Sequence, residues 1–378
     1  MRVTGIIAEC NPLHEGHIYL LDQARRRTCA DYIVVAVSGD YVQRGAPSIL
    51  SREIRTRSLL EAGADLVVEL PLYVSCSGAD YFARGAVSLL ENLGVITDLA
   101  FGSETGDLDA LLAAADMLNE ETDEFRENLR RGLKAGLSFP KARTEAMPGT
   151  SLPDTPNDLL GMEYLRALKR SESSMRPLAV KRIPCSSASQ IREAMIHSRL
   201  DRDPFLCRDD FSDLLLHALY RAGSSADLTC FLDVTEDLAG RIIRELPSYT
   251  SYTQFCEIVK TRNFTYTRVS RSLLHILLGM TAREMEVFDN RYGLCGWIRP
   301  AGFKRSAAPL VRSIAENAAV PLLDKLAKAR DVLPEDLYLI LNGQLRAEYL
   351  YDLMVRRRTG STADTAVSAF RKPVIITD

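Results

Sequence analysis

The sequence predicts an α/β protein: a Rossmann-like, doubly wound parallel sheet followed by a C-terminal, mostly α-helical half. Three observations predict it. Across the first half, continuous apolar runs alternate with segments of helical periodicity, the pattern that builds parallel βαβ units. These runs lack the in-out alternation of a half-exposed strand, as expected where helices cover both faces of a sheet. From about Pro204 onward the strands largely vanish, and apolar clusters recur at helical spacing.

Taken in order, Val3 to Ala8 is the first strand, stopped abruptly by Asn11-Pro12. An amphipathic helix follows over about residues 14–27, then a strand at 32–37, a helix at 52–62 and a strand at 66–70. A helix at 79–92 leads to a strand at 98–101. Residues 107–170 read as a helical insertion with a polar loop at 147–155, and the last strand falls at 178–182. That gives about five strands. Residues 1–203 thus form a nucleotide-binding unit, and 204–378 a mostly helical one in which 214–216, 242–243, 273–278 and 322–326 lie in helices. The tail 372–377 is a short returning strand, and no internal repeat stands out.

With 378 residues, 46% of them apolar and 26% charged, the chain can bury a sizeable core in two domains. No apolar run approaches the roughly 20 residues that span a bilayer, and the N-terminus lacks a signal peptide's charged start, so a cytoplasmic protein without a membrane partner is expected. The eight cysteines include no C-x-x-C pair, which argues against a zinc ribbon and a disulfide scaffold alike. The net charge of -3 hides an asymmetry: residues 251–378 hold 19 Lys/Arg against 13 Asp/Glu, a balance of +6, while residues 1–250 hold 28 against 37, a balance of -9. A basic C-terminal part suits an anionic partner, although a solvated surface gives the same count.

The most informative segment is Gly5-Ile6-Ile7-Ala8-Glu9-Cys10-Asn11-Pro12-Leu13-His14-Glu15-Gly16-His17-Ile18-Tyr19-Leu20. A strand running through a tight turn into a helix places free N–H groups and the helix dipole where an anion can bind. His14 and His17, three apart, share a helix face, and an imidazole there can donate hydrogen bonds to phosphate oxygens or carry charge if the phosphate raises its pKa. Two surface histidines would produce the same pattern. A zinc site from Cys10, His14 and His17 is a further alternative, but no second Cys/His cluster supplies more ligands, so no protein-held metal is expected.

The His-x-Gly-His after a first strand resembles the HIGH-type nucleotidyltransferase superfamily. The longer string through His17, followed by Ser38-Gly39-Asp40-Tyr41-Val42-Gln43-Arg44-Gly45, by residues 63–71, by Phe101-Gly102-Ser103-Glu104, by residues 156–165 and by Ser186-Ser187-Ala188-Ser189-Gln190-Ile191-Arg192, resembles the bacterial tRNA(Met) cytidine acetate ligase family. The resemblance implies that residues 7–20, Gly102, Asn157, Arg182, Ser187, Ser189 and Arg192 bind ATP, with His14 and His17 catalytic. By spacing alone, Gly102 is equally a turn glycine, Asn157 an N-cap, Arg182 a surface cation, and 187–190 a helix-capping sequence. Serines and free N–H groups at a helix start, with an arginine one turn in, nevertheless suit a triphosphate. The chain departs from the common pattern at Ala188, where serine or threonine is usual.

The polar loop 38–47 follows the second strand at the same sheet edge, so Asp40, Gln43 and Arg44 can close over a small carboxylate or a target base. Asp40 stands where the family carries asparagine, and a carboxylate there repels acetate unless it is paired, for instance with Arg44. Lys260, Arg262, Phe264, Tyr266, Arg268 and Arg271 interleave cations with aromatics, a pattern that holds RNA backbone and stacks a base, or one that simply starts an amphipathic helix. Arg356 to Arg358 is a lesser candidate. His197, His217 and His275 fall in helical patterns and read as structural.

The family resemblance implies two steps: ATP, with Mg²⁺, adenylates acetate, and the acetyl group then passes to N4 of the wobble cytidine of elongator tRNA(Met), giving N4-acetylcytidine. No protein partner is signalled. A small-molecule adenylyltransferase would use the same first domain without needing the basic half, and a non-catalytic nucleotide-binding regulator is the third alternative.

Overall fold

The structure is a computed structural model that describes residues 1–120, 123–135, 142, 145–146, 155–200, 203–360 and 374–378. Its strands among these residues are β1 (Val3–Ala8), β2 (Tyr32–Ser38), β3 (Tyr41–Val42), β4 (Ala46–Pro47), β5 (Leu66–Leu70), β6 (Asp98–Ser103), β7 (Arg176–Lys181), β8 (Pro300–Lys304) and β9 (Ile375–Thr377). Seven of them form one sheet in the order β7-β6-β1-β2-β5-β8-β9. The five strands expected from the sequence are its parallel core, with Ile6 beside Val35 on one flank and Gly5 beside Leu99 on the other. The chain leaves β1 toward β2 and returns to β6 on the opposite side, so the crevice at the carboxyl ends of β1 and β6 is the topological switch point where such sheets bind ligands.

The continuous apolar runs are explained by two-sided burial. Ile33, Val35 and Val37 of β2 join Leu20, Leu21 and Ala24 of helix α1 (Glu15–Thr28) and Leu59 and Leu60 of helix α2 (Arg52–Glu61) on one face. Val34 and Ala36 turn to the other face, against helix α4 (Ala79–Asn92) and helix Pro156–Arg170. Neither face reaches water, so neither can be polar. Gly5 lets α4 approach closely, since a Cβ there would lie 2.9 Å from a Leu90 methyl.

Two features differ from the sequence reading. The basic half is not purely helical: β8 adds to β5 antiparallel, with a register shift between Val67 and Val68, and the returning tail strand β9 lies parallel to β8. Residues 322–326 do not form a helix either. Leu322 bridges Ile298, whose N–H donates to Pro321 and whose carbonyl accepts from Leu323, so the start of this cluster is a bridge rather than a helix, and Leu326 only opens the short 3-10 turn Leu326–Lys328. Elsewhere the helical readings hold, in Ser212–Ala222, Glu236–Glu245 and Tyr266–Leu278. The insertion supplies helices Leu108–Glu120, Asp123–Lys134 and Pro156–Arg170, while the polar loop before Thr155 lies outside the described residues. No described helix is long and apolar enough to cross a membrane.

The helical half is pinned to the sheet by buried charge. Arg52 at the start of α2 and Arg299 before β8 both meet Glu69 of β5 and Glu348 of the long helix Glu335–Thr359, with Arg299 Nη1 3.0 Å from Glu69 and Nη2 3.0 Å from Glu348. Two positive and two negative groups leave no buried net charge. Removing any one of the four would leave a charge unpaired away from water.

Candidate active site

A cleft of about 500 Å³ opens at the switch point. Its phosphate side begins with the turn after β1. His14 is not in α1, as the spacing suggested, but caps it from an extended conformation, with φ -147° and ψ 172°. Its Nδ1 accepts the Gly16 N–H at 3.1 Å, and its own N–H donates to His17 Nδ1 at 3.3 Å. A ring nitrogen that accepts a hydrogen bond carries no proton, so both neutral rings hold theirs on Nε2 and can only donate from it. Burial, with Arg182 as a nearby cation, holds His14 below the usual imidazole range. Burial first, then His14 and Arg182, bring His17 down to about 3. At neutral pH the pair is therefore two neutral donors, with ring centroids 3.9 Å apart. Gly16 is required between them, because a Cβ would press to 3.0 Å on the His14 ring and 3.1 Å on Cys185 Sγ.

The second segment that the sequence marks as a candidate phosphate element starts helix Ala188–His197. Ser187 caps it, accepting the Gln190 N–H while Gln190 accepts the Ser187 N–H at 2.8 Å. The capping reading of 187–190 is thus the one observed. Arg192 joins the two elements, donating to Asn11 O at 2.6 Å and Ser189 Oγ at 2.9 Å. Glu9 lies beneath, its carboxylate accepting the Gln43 N–H at 2.7 Å. Burial lifts its pKa, against the pull of that N–H and of Arg44, Arg192 and Arg55.

Of residues 7–20, Ile7, Ala8, Glu9, Cys10, Asn11, His14, Gly16, His17, Tyr19 and Leu20 line the cleft. Pro12, Leu13, Glu15 and Ile18 do not. Gly102, Asn157, Arg182, Ser187, Ser189 and Arg192 all reach it, as do Gln43 and Arg44. Above Gly102 the nearest neighbour of a hypothetical Cβ is Arg182 Cγ at 3.6 Å, leaving a flat floor on which a ring can lie. The apolar wall comes from Phe82, Phe101, Leu160 and Tyr164, none of them assigned from the sequence, where apolar residues in strand and helix patterns carry no sign of facing a ligand.

Asp40 faces elsewhere. It is buried under the β3–β4 hairpin, where its Oδ1 accepts the Arg52 N–H at 2.6 Å, so its partner is the start of α2 rather than Arg44. Arg44 is exposed at the hairpin tip, and no partner for its guanidinium is found among the described residues. The buried Arg55, unassigned by sequence, ties the strand ends together by donating to the carbonyls of Glu9 at 2.7 Å, Ser38 at 3.0 Å, and Gly39.

The basic-aromatic segment 260–271 approaches the cleft through Arg208. That side chain donates to Gly45 O at 3.2 Å and Arg44 O at 3.0 Å, and lies 5.6 Å from the Tyr266 ring centre. Phe264 and Tyr266 are half-buried against the core, with Arg268 over Phe264 at 5.1 Å. Lys260 and Arg262 are exposed, Lys260 beside Glu257, while Arg271 turns inward to Asp233 at 3.4 Å. Arg356 to Arg358 end the long helix, where cations suit the dipole, and Arg358 donates to Asp203 O and Leu200 O. His275 bonds the carbonyls of Leu232 and Cys76, a structural role. A shallower hollow of about 1010 Å³ in the helical half contains no histidine and none of the motif residues. Among the described residues no three His, Cys, Asp or Glu side chains form a metal cluster.

The family model described as HIGH Nucleotidyl Transferase matches residues 1–365. The tRNA(Met) cytidine acetate ligase of Acetivibrio thermocellus is 34% identical over 86% of this chain and 89% of its own. That of Clostridium kluyveri is 34% identical over 91% and 96%. The crystal structure of Thermotoga maritima TmcAL bound with alpha-thio ATP superposes over 100% of both chains with a TM-score of 0.89 at 27% identity.

Proposed function

The chain belongs to the HIGH nucleotidyl transferase family and, within it, to the tRNA(Met) cytidine acetate ligases, and on that premise we propose that it activates acetate with ATP and acetylates N4 of the wobble cytidine of elongator tRNA(Met). The observation that carries the reading is the convergence of two separate phosphate elements, His14/His17 and Ser187–Arg192, on one cleft at the switch point. ATP lies with its adenosine on the floor at Gly102, near Asn157, and its phosphates between the two helix starts. An acetate oxygen attacks the α-phosphorus and pyrophosphate leaves, giving acetyl-adenylate; the cytidine amine then attacks the acetyl carbonyl and AMP leaves.

Little covalent work falls to the protein. In-line displacement on phosphorus is catalysed by positioning and by donors aimed at developing charge. The two Nε2–H groups fit that task because main-chain hydrogen bonds fix their direction before ligand arrives. Arg192 and Arg182 supply fixed positive charge on either side. Mg²⁺ would be held chiefly by the triphosphate oxygens, since the described residues include no His/Cys/Asp/Glu cluster for it, and it would neutralise charge on the phosphates.

Residues 1–203 form the activating unit and 204–378 the RNA-facing one. The strip from Arg44 through Arg208 to Arg268, Arg262 and Lys260 leads from the cleft mouth onto the basic half, a path for RNA backbone phosphates. Gln43 and Arg44 face acetate or the target base, and Asp40 supports them from below. The cytoplasm, where tRNA is modified, is the expected place of work.

The test is to incubate the protein with ATP and labelled acetate, with and without tRNA. Acetate-dependent pyrophosphate and label in tRNA(Met) support the reading. Pyrophosphate without label in RNA would favour a small-molecule adenylyltransferase, and no pyrophosphate at all would overturn the catalytic reading.

A further inference from the structure

Lining the same cleft as the histidines is a carboxylate, an odd group for a site that binds polyanions. Glu104 leaves β6 at the sheet edge, with its side chain about one quarter exposed. Its Oε1 accepts Asn157 Nδ2 at 2.5 Å and Arg182 Nη1 at 3.3 Å. Its Oε2 accepts Thr155 Oγ1 at 3.1 Å and the Asp158 N–H at 3.1 Å, within the first turn of helix Pro156–Arg170. Asp158 returns the contact. Its carboxylate accepts the N–H groups of Glu104 at 3.0 Å and Thr105 at 3.1 Å, and the hydroxyl of Ser103. Strand end and helix start are thus locked to each other by two acids, each capping the other's backbone.

This lock has a chemical consequence at Asn157. A carboxylate only accepts hydrogen bonds, so the amide must turn its NH₂ toward Glu104. Its Oδ1 is then the free end, with no partner among the described residues, on a side chain that lines the cleft. Were the amide free to flip, it would offer a donor or an acceptor equally well. Held by Glu104, it offers only an acceptor.

We infer that Glu104 is a positioning and specificity-determining residue: it fixes Asn157 as a hydrogen-bond acceptor and holds Arg182 in place, so that the cleft selects a nucleoside presenting an N–H or O–H donor at that point. The inference rests on the reading of the cleft as an ATP site. The donor is either the exocyclic amine of adenine or a ribose hydroxyl. A site built around such a bond discriminates against analogues that lack it, because its own polar group is then left unpaired.

The experiment uses the full chain and acetate-dependent pyrophosphate release with ATP, 2′-deoxyATP and inosine triphosphate. In the wild type, weak use of inosine triphosphate alone assigns the amine, and weak use of 2′-deoxyATP alone assigns the ribose. Equal use of all three overturns the inference. Glu104→Gln should raise KM for ATP about tenfold, the usual cost of a lost charge-assisted bond, leave KM for acetate unchanged, and shrink the discrimination between nucleotides. Combined with Asn157→Ala it should cost little beyond the single change, because both act through one contact. If Glu104→Gln fails to fold, Glu104→Asp keeps a carboxylate near the helix start while being too short to hold Asn157 and Arg182, and the same split in KM is expected. A wild type that turns over ATP beside a Glu104→Gln variant with unaltered KM and selectivity overturns this inference alone. Parallel loss for every substrate with a lowered Tm assigns Glu104 a purely structural role and overturns it too. A wild type that releases no pyrophosphate removes the ATP reading and this inference together.

Discussion

On the phosphate side of the cleft, His14, His17, Ser187 and Ser189 are held by residues two or three positions away in the chain; on the opposite wall the partners are distant. Asn157 is fixed by Glu104, and the carbonyl of Gly45 by Ser270 and Arg208 of the helical half. The first side is preorganised largely by local hydrogen bonds, with Arg192 to Asn11 as its long-range tie. The second exists only when the whole chain has closed. Chemistry that needs fixed donors is therefore placed on locally determined turns. Within that wall, Asn157 is held inside the first half, whereas the hairpin that carries Gln43 and Arg44 is held by Arg208 and Ser270 of the helical half.

Four experiments sharpen or break this contrast. The largest effect is expected for His17→Ala, which removes a donor aimed at developing charge and should lower acetate-dependent pyrophosphate release by about 10²–10³, with Tm nearly unchanged at pH 7.5. Survival of activity would mean that the local side does not carry the chemistry. Next, Arg192→Ala removes a side chain that ties the two candidate phosphate elements together, through Asn11 O and Ser189 Oγ. A loss of roughly 10- to 100-fold in kcat/KM for ATP is expected, since charge-assisted hydrogen bonds are worth about 1.5–3 kcal/mol.

A smaller and differently shaped effect belongs to the distant wall. Arg208→Gln should free the carbonyl of Arg44 and weaken the hold on that of Gly45, which Ser270 still bonds, raising KM for acetate or tRNA a few-fold while KM for ATP stays put. If KM for ATP rises instead, the division of labour between the walls is wrong.

The smallest effect is a pH dependence of stability. His17 in the fold sits at about 3 because of burial, then His14 and Arg182, whereas its ordinary value is 6.5. Between those values the unfolded chain takes up a proton that the folded chain refuses, so stability falls as pH drops below 6.5. The Tm of the wild type should fall about 1–3 °C further than that of His17→Ala between pH 7 and pH 5.

The same division decides what could be read in the sequence. The parallel core was legible because two-sided burial forces unbroken apolar runs such as Tyr32–Ser38. The His-x-Gly-His turn and the Ser187 cap were legible because their partners lie within one helical turn. Antiparallel β8 was not, since Pro300–Lys304 has a weak strand signature of its own and becomes a strand by pairing with β5, far earlier in the chain. Residues 322–326 misled because an apolar cluster of helical spacing can also flank an extended bridge, and the pairing with Ile298 decided the outcome. Asp40 read as a substrate contact because a polar loop at a sheet edge gives no sign of which carboxylate turns under it to meet Arg52. Glu104 and Asp158 stood inside recognisable strings, but their roles come from a contact across more than 50 residues that spacing does not reveal.

The central claim is that the cleft joins acetate to the α-phosphorus of ATP before the acetyl group moves to RNA. Its most direct test is a turnover with [¹⁸O₂]acetate, ATP and tRNA(Met), followed by mass analysis of the AMP formed. Attack by an acetate oxygen on the α-phosphorus leaves one ¹⁸O in AMP for each acetyl group transferred, and that is the predicted result. AMP without ¹⁸O, or label recovered in inorganic phosphate instead, would contradict it.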